Sequence, residues 1–201
     1  MALNNYGKHV ILNRPQVRRC SIFEGIKRLF IAAWALPLLK SSDPAKKLDS
    51  EFREELALAV TQVNQCKMCS YAHSKMALEA GMSQPEIENL LNGELGNISS
   101  DHLPAILFAQ SYAQTQGKDQ NKTFLRIQEL YGKKAKAIKA IIQVMMAANA
   151  YGIVFGDLRQ RFKGIPAQGS NIFYELGMLL IMILLIPILL VVLLIALIFN
   201  R

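Results

Sequence analysis

The sequence is poor in cysteine, with only three among 201 residues. Three cysteines cannot form the network of disulfides that stabilises small secreted proteins, so we expect thiols that stay reduced or cycle in a reducing compartment. No segment has the pattern of a β-strand, and there is no long low-complexity tract and no nucleic-acid-binding motif. These absences favour an all-α protein whose partners do not include nucleic acid.

Acidic residues are outnumbered by basic ones. The chain has 23 Lys and Arg residues against 15 Asp and Glu residues, a formal net charge of +8. A positive charge of this size attracts the anionic headgroups of a membrane, which is its simplest explanation in a membrane-anchored chain.

Charge is missing altogether from the stretch between Leu176 and Phe199. As a helix it would be roughly 36 Å long, enough to cross a bilayer with some tilt. Tyr174 suits the interface just before it, and Pro187 should bend the helix without preventing insertion. We therefore predict a single transmembrane helix within residues 172–200, in preference to a buried core helix.

The charges that flank this helix predict its orientation. Arg159, Arg161 and Lys163 precede it, whereas only Arg201 follows it. Because cytoplasmic flanks are rich in Lys and Arg, we expect a single-pass membrane protein with the bulk of the chain, residues 1–165, on the cytoplasmic side.

The first 47 residues form a separate unit in this interpretation. Residues 1–20 are polar and basic and predict a loose arm, in which His9 is a solvated surface residue. Residues 21–40 have apolar side chains at helical spacing and predict an amphipathic helix that rests on the bilayer or on the domain. The apolar run 29–39 resembles a signal-peptide core, but it starts late and lacks a small-x-small cleavage site.

Residues 48–165 predict a helical bundle with short connections. A capping box at Ser83 and Glu86 opens one helix, and Gly93 ends it. The predicted helices are 51–63, 83–93, 102–116, 121–131 and 133–162. A further helix lies between the first two and ends at Gly81. The helix 133–162 contains the small-residue stretch 146–152, which suits close contacts between helices.

The motif that carries chemistry is Cys66-x-x-Cys69-x-x-x-His73. On a helix these three side chains fall within an arc of roughly 60°, so a thiol pair and a base share one face. We expect Asn64 to be the N-cap, which would place Cys66 in the first turn, where the helix dipole favours a thiolate. The sequence therefore predicts a reactive dithiol.

Glu54 lies twelve residues before Cys66. On one straight helix the two residues would be about 18 Å apart, too far for proton transfer. A turn near Asn64 would instead fold Glu54 back beside His73. We infer the order Glu54, His73, Cys69, in which His73 withdraws the thiol proton and Glu54 stabilises the imidazolium.

Together with the Gly81-x-Ser83 helix break and the stretch 147–152, these residues resemble the AhpD-like alkylhydroperoxidase branch of the carboxymuconolactone decarboxylase family. The resemblance covers roughly residues 48–162. It implies an all-α, AhpD-like helical bundle, assembled as a homo-oligomer, a trimer or hexamer, with the site near subunit contacts. The arm and the membrane helix lie outside it.

The resemblance also implies an activity and roles. Cys66 and Cys69 would be the redox pair, His73 the base and Glu54 the distal proton acceptor. Cys69 would attack a hydroperoxide, and Cys66 would resolve the sulfenic acid and meet the electron donor. A lipoyl or other dithiol protein is the implied donor, with a hydroperoxide or an oxidised peroxiredoxin as acceptor and with no metal or organic cofactor.

One residue departs from the family pattern, because the alkylhydroperoxidase D proteins often carry a further histidine where this chain has Met68. The proton relay here would lack that member. Because the membrane helix would hold the site beside lipid, a lipid hydroperoxide is the substrate that we expect.

Several alternatives remain open at this point. Cys66, Cys69 and His73 could bind zinc with His102 or Cys20 as a fourth ligand, or could pack inertly in the core. Glu54 could be a solvated carboxylate whose place Glu51 or Glu55 takes.

Residues outside the motif have simpler interpretations. Cys20 is interpreted as a spare thiol or an acylation site, and His102 as a helix-start residue. Other functions to weigh are a lyase that acts on a lactone acid without needing the cysteines, and a membrane redox sensor or scaffold.

Overall fold

Helices are the only regular elements in the described part of the chain, residues 17–40, 45–165 and 167–199 of a computed structural model. The all-α prediction is therefore confirmed for these residues. Two short 3₁₀ segments, Leu36–Lys40 and Gly132–Lys134, join neighbouring helices. The α-helices are α1 (Ile22–Ala35), α2 (Ser50–Asn64), α3 (Lys67–Glu79), α4 (Gln84–Asn92), α5 (Leu103–Gln114), α6 (Asn121–Tyr131), α7 (Ala135–Phe162) and α8 (Ile172–Phe199).

Helix α2 lies at the centre of the bundle, packed against α3, α4, α5 and α7. Its apolar residues point in several directions and are wholly buried, as Leu56, Leu58 and Val60 illustrate. Ile142 of α7 and Phe108 of α5 belong to the same core cluster. Burying a large apolar side chain contributes about 1.5–3 kcal/mol, so the position of α2 is fixed by its surroundings on all sides.

The turn from α2 to α3 differs from the prediction in one respect. Asn64 is not the N-cap of α3, because it is the last residue of α2 and its buried side chain contacts the sulfur of Met146 at 3.3 Å. Gln65 adopts the left-handed conformation at φ 60°, and Cys66 becomes the N-cap. The chain does reverse direction here, as expected.

The predicted start and end of α4 are confirmed. The Glu86 carboxylate accepts hydrogen bonds from the backbone N–H and the hydroxyl of Ser83, both at 2.7 Å, and these bonds lower the pKa of Glu86. Gly93 ends the helix in the left-handed conformation at φ 85°, which glycine adopts without a steric penalty.

The N-terminal residues of the described chain contact the bundle. Helix α1 packs against α7 and α8, and its buried Arg28 donates to the carbonyl oxygen of Met146 at 3.4 Å. The Arg18 backbone N–H donates to the carbonyl oxygen of Asn64 at 3.1 Å. The expectation of a loose arm is therefore wrong for residues 17–20. His9 lies outside the described residues.

Helix α8 is long and apolar enough to cross a membrane, with a mean hydropathy of 3.6 and only 6% of its apolar window buried. The stretch 121–162 also contains an apolar 18-residue window, but 72% of that window is buried in the bundle. At the start of α8, Glu175 is wholly buried and pairs with Arg161 through contacts of 2.7 and 2.9 Å. This ion pair ties α8 to the end of α7.

Candidate redox site

The two motif cysteines lie at the corner where α2 turns into α3, and they form a disulfide. Cys66 is the N-cap of α3, and its sulfur accepts a hydrogen bond from the backbone N–H of Cys69 at 3.3 Å. The spacing of three residues brings the second cysteine one turn further along the helix, next to the first. The Cα atoms are consequently 5.2 Å apart, and one short turn holds both sulfurs.

His73 follows Cys69 by one helical turn and contacts Glu54 of α2. Its Nδ1 lies 2.7 Å from Oε2 of Glu54, and both side chains are mostly buried, 18% and 11% exposed. The predicted fold-back of Glu54 onto His73 is therefore confirmed as a contact. With a proton on Nδ1 donated to the carboxylate, Nε2 is the basic nitrogen of the ring.

The second ring nitrogen of His73, Nε2, is available to accept a proton. Among the described residues, Nε2 of His73 has no hydrogen-bond partner, and no bond joins the ring to Cys69 while the disulfide is closed. Cys69 Sγ lies 3.9 Å from the carbonyl oxygen of Ala148. The spacing of four residues puts Cys69 and His73 on one helix face, so a freed thiol and the ring are neighbours.

The neighbouring carboxylate, Glu55, serves a different histidine. Its Oε2 lies 2.6 Å from Nδ1 of His102, whose ring stacks on Phe52 with centroids 3.9 Å apart. Burial raises the pKa of Glu55, and the adjacent His102 opposes that shift. Glu55 therefore does not replace Glu54 at His73, and Glu51 is exposed.

The zinc alternative has little support in the structure. His102 is engaged with Glu55 and is the N-cap of α5, as its interpretation as a helix-start residue expected. Across residues 17–40, 45–165 and 167–199, no three His, Cys, Asp or Glu side chains cluster as metal ligands would. Cys20 is a free, partly buried thiol, and burial raises its pKa. It is thus a poorer nucleophile than an exposed thiol.

Gly152 of α7 forms the wall behind the disulfide. A Cβ atom at this position would lie 2.6 Å from Cys69 Sγ and 2.9 Å from Cys66 Sγ, closer than van der Waals contact allows. Only a glycine lets α7 approach the sulfurs this closely. The predicted close helix contact along 146–152 is thus observed at its last residue.

The sulfurs differ in exposure. Cys66 is wholly buried and Cys69 is 8% exposed, with Ile153 and Val17 packed against them. In this oxidised conformation nothing can reach the Cys66 sulfur without movement, so the expectation that Cys66 meets the electron donor stays a prediction that requires a rearrangement. Cys69, next to His73, is the more accessible of the pair.

Sequence patterns gave no indication of three residues around the site: Val17, Arg19 and Asp157. Arg19 binds Asp157 of α7 through two contacts of 2.7 and 3.0 Å. A cleft of about 630 Å³ opens beside them, and Gly152 and Ile153 form part of its wall. No periodicity marks residues 17–19, so only the tertiary structure reveals that they cover the disulfide.

Comparison with known proteins identifies one family. Residues 32–94 match the model of the carboxymuconolactone decarboxylase family. The match runs from the second half of α1 to the end of α4 and includes Glu54, Cys66, Cys69 and His73, but not Gly152. The family includes decarboxylases and alkylhydroperoxidases, and the match does not select its alkylhydroperoxidase branch. No curated protein and no solved structure matches the chain.

Replacing Gly152 by alanine should destabilise the disulfide, because the new methyl group would occupy the space of both sulfurs. We expect the dithiol–disulfide equilibrium to shift toward the dithiol by about tenfold or more, which is roughly 30 mV for a two-electron couple. Equilibration in dithiol buffers, followed by alkylation and mass analysis, measures this ratio.

Gly156→Ala is the matched control on the same helix, because a Cβ there meets nothing within 4 Å. That variant should keep the wild-type ratio and gain slightly in helix stability. Equal ratios for Gly152→Ala and the wild type would show that α7 does not constrain the sulfurs.

Proposed function

We propose that this chain is a membrane-tethered thiol peroxidase and disulfide reductase. It reduces a hydroperoxide at Cys69 and is regenerated by a dithiol donor. The observation that carries the proposal is the arrangement of Glu54, His73 and the Cys66–Cys69 pair around one helix corner, with His73 Nδ1 2.7 Å from Glu54. The match to a family that includes alkylhydroperoxidases supports it.

The oxidative half of the cycle begins with the reduced pair. Nε2 of His73 accepts the Cys69 thiol proton, and Glu54 stabilises the resulting imidazolium. The thiolate attacks one peroxide oxygen, the O–O bond breaks, and the departing alkoxide takes a proton to become the alcohol. Cys69 is left as a sulfenic acid.

Cys66 then completes the oxidation. Its sulfur attacks the sulfenic sulfur of Cys69, and the hydroxyl group leaves as water with one proton. The product is the Cys66–Cys69 disulfide present in this structure. Its position at the start of a 13-residue helix favours thiolate character in the reduced pair, since unpaired backbone N–H groups and the helix dipole stabilise negative charge there.

Two electrons from a donor return the disulfide to the dithiol. The resemblance to the alkylhydroperoxidases suggests a lipoyl or other dithiol protein as that donor, and an oxidised peroxiredoxin as a further acceptor. The steps above use only side chains of this chain and the thiols of the donor. A homo-oligomer, a trimer or hexamer, belongs to the same proposal.

The location we propose follows from α8. As a single-pass anchor it would hold the domain at the membrane, and the exposed Arg159 and Lys163 before it favour the cytoplasmic side. A site held there meets oxidised lipids at high local concentration. Lipid hydroperoxides are therefore the substrate class that we propose.

The family match also favours a second candidate, a lyase that acts on a lactone acid. Such chemistry moves protons and breaks a carbon–carbon bond, and it needs no change in the oxidation state of a thiol. The cysteines therefore distinguish the two functions.

Cys69→Ser should abolish turnover of an organic hydroperoxide in the presence of a dithiol regenerating system, because no thiolate remains to attack the peroxide. Peroxide consumption by the purified full chain measures this. Cys20→Ser is the control and should retain the wild-type rate. Equal activity of Cys69→Ser and the wild type would exclude the thiol mechanism, and turnover of a lactone acid by Cys69→Ser would favour the lyase.

Glu54→Gln should slow alkylation of the reduced Cys69 by roughly tenfold to a hundredfold near neutral pH. Without the carboxylate the imidazolium is less stable, so the pH at which alkylation reaches half its maximal rate should rise. Glu55→Gln is the matched control on the same helix, because Glu55 contacts His102 instead. Identical pH profiles for both variants would contradict a specific role of Glu54 as the residue that positions His73.

Extraction of membranes with alkaline carbonate tests the anchor. The full chain should remain in the membrane pellet, because burial of the apolar surface of α8 does not depend on charge. Release of the full chain into the supernatant would rule out a spanning helix.

A further inference from the structure

A short N-terminal segment covers the disulfide. We call residues 17–19 the strap. Val17 packs against the cluster of Cys66, Cys69 and Ile153. The Arg18 guanidinium donates to the carbonyl oxygen of Gln114 at 2.9 Å, in addition to the backbone bond with Asn64. The strap thus contacts α2, α5 and α7 as well as the two cysteines.

The strap is held to α7 by one ion pair. Nε of Arg19 lies 2.7 Å from Oδ2 of Asp157, and a second guanidinium nitrogen lies 3.0 Å from Oδ1. The side chains are 19% and 9% exposed. Two parallel bonds between a guanidinium and a carboxylate fix orientation as well as distance, so the pair sets where Val17 lies.

The strap also borders the cleft next to the disulfide. This space of about 630 Å³ lies within the range of ligand sites, and its wall includes Val17, Arg19 and Gly152. Gly152 also lies against the disulfide, since a Cβ at this position would overlap both sulfurs. Neither cysteine lines the cleft, but both chain neighbours of Cys66, Gln65 and Lys67, do.

A positively charged side chain gives the cleft a preference for acidic ligands. Lys67 lines it and has no ion-pair partner among the described residues, whereas the charge of Arg19 is balanced by Asp157. The exposed Lys67 occupies the first helical position of α3, directly after Cys66. An acidic group on an incoming molecule would be attracted to this position, close to the disulfide.

We propose that this cleft binds the reducing dithiol, and that the strap must leave Cys66 before electrons can enter. The inference rests on the proposed function and gives its two half-reactions different entrances. A hydroperoxide reaches Cys69 beside His73, and the donor reaches Cys66 from the cleft. The strap lies outside residues 32–94, which match the family model.

The chemistry of thiol–disulfide exchange explains why the donor would attack Cys66 rather than Cys69. A donor thiolate attacks Cys66 Sγ, the Cys66–Cys69 bond breaks, and Cys69 leaves as a thiolate next to the His73 imidazolium. The second donor thiol then attacks the donor sulfur of the mixed disulfide and releases Cys66, which takes up a proton. The donor loses two electrons and two protons and becomes a disulfide. Cys69 is left as the nucleophile for the next peroxide.

Reduction of the oxidised full chain by dithiothreitol tests the proposal without any peroxide. Samples are quenched with acid, alkylated and analysed by mass for free Cys66 and Cys69. Arg19→Gln and Asp157→Asn should each speed reduction about fivefold or more, and the double variant should be no faster than either. Arg161→Gln, which breaks the other ion pair at the end of α7, should keep the wild-type rate.

Two further measurements keep the test decisive if loosening the strap also lowers stability. Gly156→Leu places a side chain in the cleft where an added Cβ meets nothing, and it should slow reduction severalfold with the strap intact. The monothiol glutathione should form its first adduct on Cys66. Wild-type rates in both strap variants, an unchanged rate in Gly156→Leu, or a first adduct on Cys69 would each overturn the proposal.

These outcomes are separate from those of the peroxidase proposal. If the chain does not consume hydroperoxide but the strap variants are still reduced faster, the peroxidase proposal fails and the strap proposal stands. The disulfide would then receive its oxidising equivalents from a different oxidant. Hydroperoxide turnover with no effect of the strap or the cleft would reject the gate alone.

Discussion

The site depends on the reversal of the chain at Gln65. Its left-handed backbone, at φ 60°, is uncommon for a residue other than glycine and costs on the order of 1 kcal/mol. That turn lays α3 back along α2, brings His73 to Glu54, and makes Cys66 the N-cap of α3. Hydrogen bonds at Asn64 and packing at the turn hold it in place. Glu54, His73 and the two cysteines come together because α2 and α3 pack in antiparallel directions.

Helix α2 places two adjacent carboxylates in a largely apolar bundle. An unpaired carboxylate in such surroundings would be destabilising by several kcal/mol, and each of these has a histidine partner within 2.7 Å. The two pairs diverge because successive residues on a helix point about 100° apart. Glu54 therefore belongs to the disulfide site, while Glu55 fixes the start of α5. One position in the sequence thus separates the carboxylate that contacts His73 from the one that contacts His102.

Close packing of α7 gives the sulfurs their environment. Gly152 brings the helix backbone against the disulfide, and Val17 of the strap packs against the same cluster, so Cys66 has no exposed surface. Cys69 thus keeps a small exposed fraction, whereas Cys66 has none. For the function we propose, two cysteines of different exposure would let the oxidant and the reductant use different entrances.

Much of this could be predicted from local patterns. Apolar periodicity located the helices, and the spacing of Cys66, Cys69, His73 and Glu54 predicted their convergence, because helix geometry fixes relations over a few turns. The prediction that Asn64 is the N-cap of α3 was wrong, because its side-chain amide donates a hydrogen bond to the sulfur of Met146, a residue 82 positions away. The strap could not be predicted for the same reason. Its partners, Asn64, Gln114 and Asp157, are distant in sequence and leave no local pattern.

The most direct test of the central claim is the state of each cysteine after the reduced chain meets one equivalent of an organic hydroperoxide. Rapid alkylation and mass mapping should find Cys66 and Cys69 joined in one disulfide, with Cys20 still free to react. If Cys66 and Cys69 remain alkylated as thiols while the peroxide persists, the corner between α2 and α3 is not a redox centre.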